Sequence, residues 1–173
     1  MVKHFDSKNK AETIKLGGKL GKMLQEGDVI ALSGQLGSGK TVLTKGIAEG
    51  LGVKGSNCVN SPSFVILKEY KGRIPLYHFD VYRLKDISQF STVGYGEYFY
   101  GRGVSVIEWA DKVKEALPKE YLLINIEIIG ENERSFKIKA YGGRYEALLR
   151  KLKLGTMVAV PIYENLLGKI KSC

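Results

Sequence analysis

Two kinds of hydrophobic pattern alternate along this chain. Short apolar runs end in a glycine or an acid, and between them lie stretches whose apolar positions recur every three or four residues. "DVIALSG" (28–34) is of the first kind, and its length and lack of alternation predict a strand buried on both faces. "KTVLTKGIAEGLG" (40–52) is of the second: Val42, Leu43, Ile47 and Leu51 share one side of a helix closed by glycine. "AETIKLGGKLGKMLQEG" places Ile14, Leu20 and Leu24 at helical spacing, weakened by Gly17, Gly18 and Gly21. "SFVILKEYKGRIPLYHFDVY" (63–82) predicts an antiparallel hairpin around Lys71-Gly72-Arg73, followed by loop and short helix over 85–101. "GVSVIEW" predicts a strand ending at an acid, and "ADKVKEALP" a short helix stopped at Pro118. "YLLINIEIIGENERSFKIKAY" predicts two strands around Glu131-Asn132-Glu133, "GRYEALLRKL" a helix, and "TMVAVPI" a last strand. Strand–helix alternation first and hairpins later predict an α/β fold with a mixed, partly antiparallel sheet flanked by helices.

Composition narrows the class without naming a chemistry. The 173 residues fit one domain and are ordinary for a globular protein, with 44% hydrophobic and 26% charged residues. No apolar run approaches the roughly 20 residues of a membrane helix. The polar start "MVKHFDSKNK" has no signal-peptide core, so the expected compartment is the cytoplasm and no membrane partner is expected. Cys58 and Cys173 lack metal-ligand spacing and are expected to be free thiols. The net charge of +9 favours a polyanionic partner such as nucleic acid, or serves solubility alone. Part of it is local: Arg144, Arg150, Lys151, Lys153, Lys169 and Lys171 face only Glu146 and Glu164. No internal repeat or linker interrupts residues 1–154, and 155–173 is set apart as a basic extension of unassigned role.

"GQLGSGKT" carries the strongest chemical signal. Gly34, Gly39, Lys40 and Thr41 satisfy G-x-x-x-x-G-K-[ST] between a predicted strand and a predicted helix. In that setting backbone N–H groups turn inward around phosphate oxygens, and the helix N-terminus favours negative charge. Lys40 is expected to reach the β- and γ-phosphates, and the Thr41 hydroxyl to coordinate Mg²⁺.

Such a site needs a carboxylate at the end of a neighbouring strand. "VSVIE" ends at Glu108 and "IPLYHFD" at Asp80. Glu108 follows the more β-branched strand and takes the Walker-B-like role at Mg²⁺; Asp80 is left to orient the attacking water, though the two roles could be exchanged. Ser61 in "NSPSF" is either a switch-loop hydroxyl near the γ-phosphate or part of a Ser-Pro turn. His78 is an acid/base candidate or a structural strand histidine. Trp109 stacks near a base, anchors a partner or packs in the core. Tyr95, Tyr98, Phe99 and Tyr100 form a surface or pack inside. Without an N-K-x-D guanine motif or an "LSGGQ" signature, ATP is the nucleotide favoured by elimination.

"GQLGSGKT", "SPSF", "YHFDVYRL", the glycine–tyrosine segment and "VIEW", in this order, resemble the bacterial TsaE/YjeE-type ATPase family over about residues 7–150. The resemblance implies a P-loop NTPase-like three-layer αβα fold. It also implies a Mg²⁺-dependent ATPase that supports threonylcarbamoyladenosine modification of tRNA. Its partners would be the threonylcarbamoyl transferase and that enzyme's inactive paralogue, with tRNA reached through the complex. Hydrolysis would be slow alone, and ATP would reset the partner complex between rounds. Residue by residue, Gly37, Ser38, Gly39, Lys40, Thr41 and Val42 fall on the phosphates, Thr41 and Glu108 at Mg²⁺, and Asp80 at the catalytic centre. Ser61 matches the switch-like hydroxyl, and Trp109 and Arg83 match family positions of less defined role. Gln35 and Val42 depart from the family's frequent Asp and Thr without touching Lys40 or Thr41. A small-molecule kinase and a nucleotide-regulated RNA-binding protein are the competing readings.

Overall fold

The computed structural model describes residues 1–154, so "TMVAVPI" and the basic extension lie outside the described residues. Seven strands form one sheet: β1 (Val2–Ser7), β2 (Val29–Ser33), β3 (Leu67–Tyr70), β4 (Leu76–Asp80), β5 (Val104–Glu108), β6 (Tyr121–Ile128) and β7 (Arg134–Tyr141). Their order is β1-β7-β6-β2-β5-β4-β3. β6, β2, β5 and β4 run parallel, while β3, β7 and β1 each pair antiparallel with a neighbour. The helices are α1 (Lys10–Met23), α2 (Lys40–Gly50), α3 (Ile87–Ser91), α4 (Tyr95–Phe99) and α5 (Gly143–Lys151).

Alternation along the central strands explains the layers. Ile30 and Leu32 point to the side where α1, α2 and α5 bury Leu16, Leu20, Leu43, Ile47 and Leu148. Val29 and Ala31 point to the other side, where α3, α4 and residues 110–116 contribute Phe90, Phe99, Ala110 and Val113. Both faces are covered, which gives the expected three-layer αβα arrangement.

The glycines that weaken α1 as an isolated helix have a packing purpose. A Cβ on Gly17 would lie 2.8 Å from the Gly46 Cα, and one on Gly50 would lie 2.8 Å from the Gly21 Cα. The backbones of α1 and α2 therefore meet along a seam with no room for a methyl group. α1 starts at Asn9, whose side chain accepts a hydrogen bond from the Glu12 N–H at 3.0 Å. Ile14, expected on the buried face, is only half-buried, because the seam passes through the glycines instead.

Three other expectations need correction. Residues 110–116 form 3₁₀ turns broken at Val113 (φ −128°), not an α-helix. The first strand of the 63–82 hairpin begins only at Leu67, because Val65 and Ile66 donate to the Pro62 carbonyl in a turn. Residues 2–7, read only as a polar start, form the edge strand β1 against β7. Its alternation is carried by a half-buried Phe5 among polar neighbours, too faint a pattern to announce a strand.

Candidate functional site

Strand register builds the site. Leu32, Glu108 and Asp80 are cross-strand partners in one row over β2, β5 and β4; Ile30, Val106 and His78 form the row two residues before it. Side chains two apart share a face, so His78, Asp80 and Glu108 all project toward the side covered by α2. These positions lie at the C-terminal edge of the parallel strands, where α/β sheets bind ligands. His78, Asp80 and Glu108 are all buried.

The loop from Gly34 to Gly39 links β2 to α2. Gly34 (φ 147°) is hemmed in: a Cβ there would come within 2.5 Å of the Ile126 carbonyl and 2.7 Å of Ser38 Oγ. Gly39 precedes α2 in the left-handed region (φ 102°), where a side chain would be strained. No side chain caps α2, so its first N–H groups and the positive end of its dipole face the loop. Lys40 is buried and donates to the carbonyls of Gly34 at 2.6 Å and Gln35 at 3.0 Å, while its ammonium lies 3.7 Å from the Trp109 ring centroid. Burial lowers the Lys40 pKa, against the opposing pull of Glu108, Asp80 and Asp111.

The acids are held by hydroxyls, a ring nitrogen and a backbone amide. The Thr41 hydroxyl donates to Glu108 Oε2 at 3.0 Å, and His78 Nε2 lies 2.7 Å from Glu108 Oε1. A carboxylate only accepts, so His78 carries its proton on Nε2; Nδ1 is buried without a partner among the described residues. Asp80 Oδ2 accepts from Ser61 Oγ and, at 2.9 Å, from Ser63 Oγ; Oδ1 accepts from the Tyr82 N–H at 2.9 Å.

Backbone strain gathers at the same place. Among the described residues, Trp109 (φ 64°) and Ile66 (φ 66°) are the non-glycine residues in the left-handed region, and a β-branched residue there is rare. Trp109 follows Glu108 directly, and the Ile66 carbonyl accepts from the Asp80 N–H at 2.9 Å. Each such residue costs on the order of 1–3 kcal/mol, and such strain concentrates at ligand clamps.

Gly34, Gly37, Ser38, Gly39, Lys40, Thr41, Ser61, Asp80, Glu108 and Trp109 thus surround one loop and two strand ends. Val42 is half-buried in the first turn of α2. Arg83 lies outside the hydrogen-bonded cluster, with its guanidinium 4.1 Å from the ring centroid of Phe64, which is 85% exposed. Ser63 and Arg134 are additional. Ser63 sits two residues from Ser61 on the same turn, a spacing visible in the sequence. Arg134 donates to the carbonyls of Gly37 and Ser38, nearly a hundred residues away, and no local pattern announces it. His78, an acid/base candidate or a structural strand histidine by sequence, belongs to the cluster through Glu108.

The donor set suits a Mg²⁺–polyphosphate: loop amides, an uncapped helix N-terminus, one ammonium, and a hydroxyl paired with a carboxylate. Among the described residues no helix is long and apolar enough to cross a membrane. Residues 7–136 match the model of the family described as threonylcarbamoyl adenosine biosynthesis protein TsaE. The tRNA threonylcarbamoyladenosine biosynthesis protein TsaE of Bacillus subtilis is 47% identical over 145 residues, covering 83% of this chain and 89% of the relative. Its namesake from Treponema pallidum is 39% identical over 132 residues, covering 76% and 96%. A crystal structure of Bacillus subtilis YdiB superposes with a TM-score of 0.71 at 41% identity, covering 87% of this chain and 94% of that one. With this site on this sheet, and a family match across most of its length, the chain belongs to the TsaE family.

Proposed function

We propose that this chain is a Mg²⁺-dependent ATPase serving N6-threonylcarbamoyladenosine formation in tRNA, using ATP binding and hydrolysis to regulate or reset the threonylcarbamoyl transferase complex. The observation that carries the reading is the hydrogen bond from Thr41 to Glu108 beside the Lys40 ammonium, at the N-terminus of α2. Thr41 and Glu108 are the residues to hold Mg²⁺, which when bound supplies charge neutralisation at the phosphates. Lys40 offers the polyphosphate a cation already stripped of most of its water, so its attraction for phosphate is stronger than at an open surface. His78 fixes one Glu108 oxygen and leaves the other for Thr41. Asp80, oriented by Ser61, Ser63 and the Tyr82 amide, is the carboxylate to position a water. The Ser61–Ser63 turn binds Asp80 through hydroxyls alone, which suits a segment that changes partners with nucleotide state. The partners in this reading are the transferase and its inactive paralogue, with tRNA engaged through that heterodimer.

Phosphate release from ATP, alone and with the heterodimer plus unmodified tRNA, tests it. Slow release that the complex stimulates, and that Lys40→Ala abolishes, is the expected result. A rate indifferent to those proteins, or transfer of phosphate to a metabolite, would overturn the proposal.

A further inference from the structure

Arg134 opens β7, opposite Ile128 of β6 and Ser7 of β1, and its side chain leaves the sheet toward the phosphate-binding loop. All three nitrogens of its guanidinium meet peptide carbonyls. Nη1 donates to Gly130 at 3.1 Å, Glu131 at 3.2 Å and Glu133 at 2.8 Å, which fastens the group to the β6–β7 turn. Nε donates to Ser38 at 3.1 Å and Nη2 to Gly37 at 3.2 Å. Among the described residues it forms no ion pair, so its charge stays available to the peptides it touches.

We propose that Arg134 is a positioning residue for the phosphate-binding loop, holding the Gly37 and Ser38 carbonyls outward so that the Ser38 N–H closes the loop on the Gln35 carbonyl and the Gly39 N–H faces the cradle. The inference rests on reading that loop as the nucleotide site. In a trans peptide the C=O and N–H point in opposite directions, so fixing one aims the other. The Gly37–Ser38 peptide shows this: its carbonyl accepts from Arg134, and its N–H crosses the loop to the Gln35 carbonyl at 3.1 Å. The Ser38–Gly39 peptide is held by its carbonyl in the same way, which turns the Gly39 N–H away from Arg134 and into the loop. A cation on a carbonyl also polarises the peptide and strengthens its N–H as a donor to an anion. Lysine cannot reproduce this. A single ammonium cannot hold the turn and two loop carbonyls in one plane. The glycines that let the loop adopt its shape leave it free to adopt others, and Arg134 removes that freedom at Gly37 and Ser38.

The test is Mg²⁺–ADP and Mg²⁺–ATP affinity by titration calorimetry for the full chain, Arg134→Met and Arg134→Lys, with ligand-free unfolding midpoints alongside. Losing two charge-assisted bonds to the loop should weaken binding of both nucleotides roughly ten- to hundredfold. Arg134→Lys should lose nearly as much as Arg134→Met, despite its charge. In turnover, KM should rise with kcat little changed, and the Gly39 amide resonance should shift in the ligand-free variant. Affinity within twofold of the unaltered protein in either variant overturns the proposal, as does full rescue by lysine, which would make Arg134 only a charge. Should Arg134→Met fail to fold, Arg134→Lys alone decides. Absence of nucleotide binding by the unaltered protein would instead refute the nucleotide-site reading itself.

Discussion

The two ends of β2 both bury charge, and they treat it in opposite ways. At the N-terminal end Asp28 is paired with Arg144 at 2.8 Å and accepts from the Gln25 N–H at 2.8 Å. Beside it the Tyr145 hydroxyl accepts from the Val29 N–H at 2.6 Å, joining α5 to the sheet. Opposite charges meet there directly. At the C-terminal end Lys40, Glu108 and Asp80 lie close enough to feel one another, yet among the described residues none forms an ion pair with another. Lys40 is held by carbonyls, Glu108 by Thr41 and His78, and Asp80 by serines and an amide. A fold that needed only stability would have joined those charges, as it does at Asp28. Buried charges kept apart from one another cost stability and are ready for a ligand of mixed charge, which describes a Mg²⁺-nucleotide.

The largest expected separation between the two ends comes from Glu108→Gln. The amide keeps the shape and one acceptor for Thr41, and His78 can accept from its NH2 by moving its proton to Nδ1, so the fold should persist. Phosphate release should fall by on the order of a hundredfold or more, and unaltered turnover would refute the metal assignment. At the other end, Arg144→Met leaves Asp28 buried and unpaired. It should cost roughly 2–3 kcal/mol in urea unfolding, less than a fully buried pair because Arg144 is 31% exposed, with nucleotide affinity unchanged. Tyr145→Phe strands the buried Val29 N–H and should cost about 1–2 kcal/mol by the same assay.

What the sequence made legible follows the range of the interactions. β2, the loop and α2 are contiguous, so one stretch of chain carries their whole pattern. The acids at the ends of β4 and β5 were legible because each closes an apolar run. The glycines of α1 looked like weakness because their purpose, the approach of α2, lies some thirty residues away. β1 was silent because an edge strand buries little. The break at Val113 is tertiary: Val113 reaches the core from a segment too short to do so as a regular helix. Arg134 was beyond reach, since its partners belong to the loop across the sheet.

A smaller effect sharpens the comparison through pH. Burial raises the Asp28 carboxyl above its usual range, outweighing the lowering by the Gln25 amide and by Arg144. A carboxyl so raised takes up its proton in the native state before the unfolded chain does. Its contribution therefore improves as pH falls through the folded-state pKa, the reverse of a carboxylate held low. Between pH 6 and 4, the stability of the unaltered protein relative to Asp28→Asn should rise slightly in urea titrations; a relative fall would show that the Arg144 pairing dominates.

Lys40→Met tests the central contrast most directly, through unfolding midpoints with and without Mg²⁺–ATP. Because burial lowers the Lys40 pKa, its protonated form is disfavoured in the native state relative to the unfolded chain. That cost is fully present below the folded-state pKa and gone above the unfolded one, and it offsets what the ammonium gains from the Gly34 and Gln35 carbonyls and the Trp109 ring. The ligand-free variant should therefore melt close to the unaltered protein's midpoint. Saturating Mg²⁺–ATP should raise the unaltered midpoint by about 5–10 °C and leave the variant where it was. A variant that melts markedly lower without nucleotide, or that gains as much from Mg²⁺–ATP as the unaltered protein does, would contradict the account.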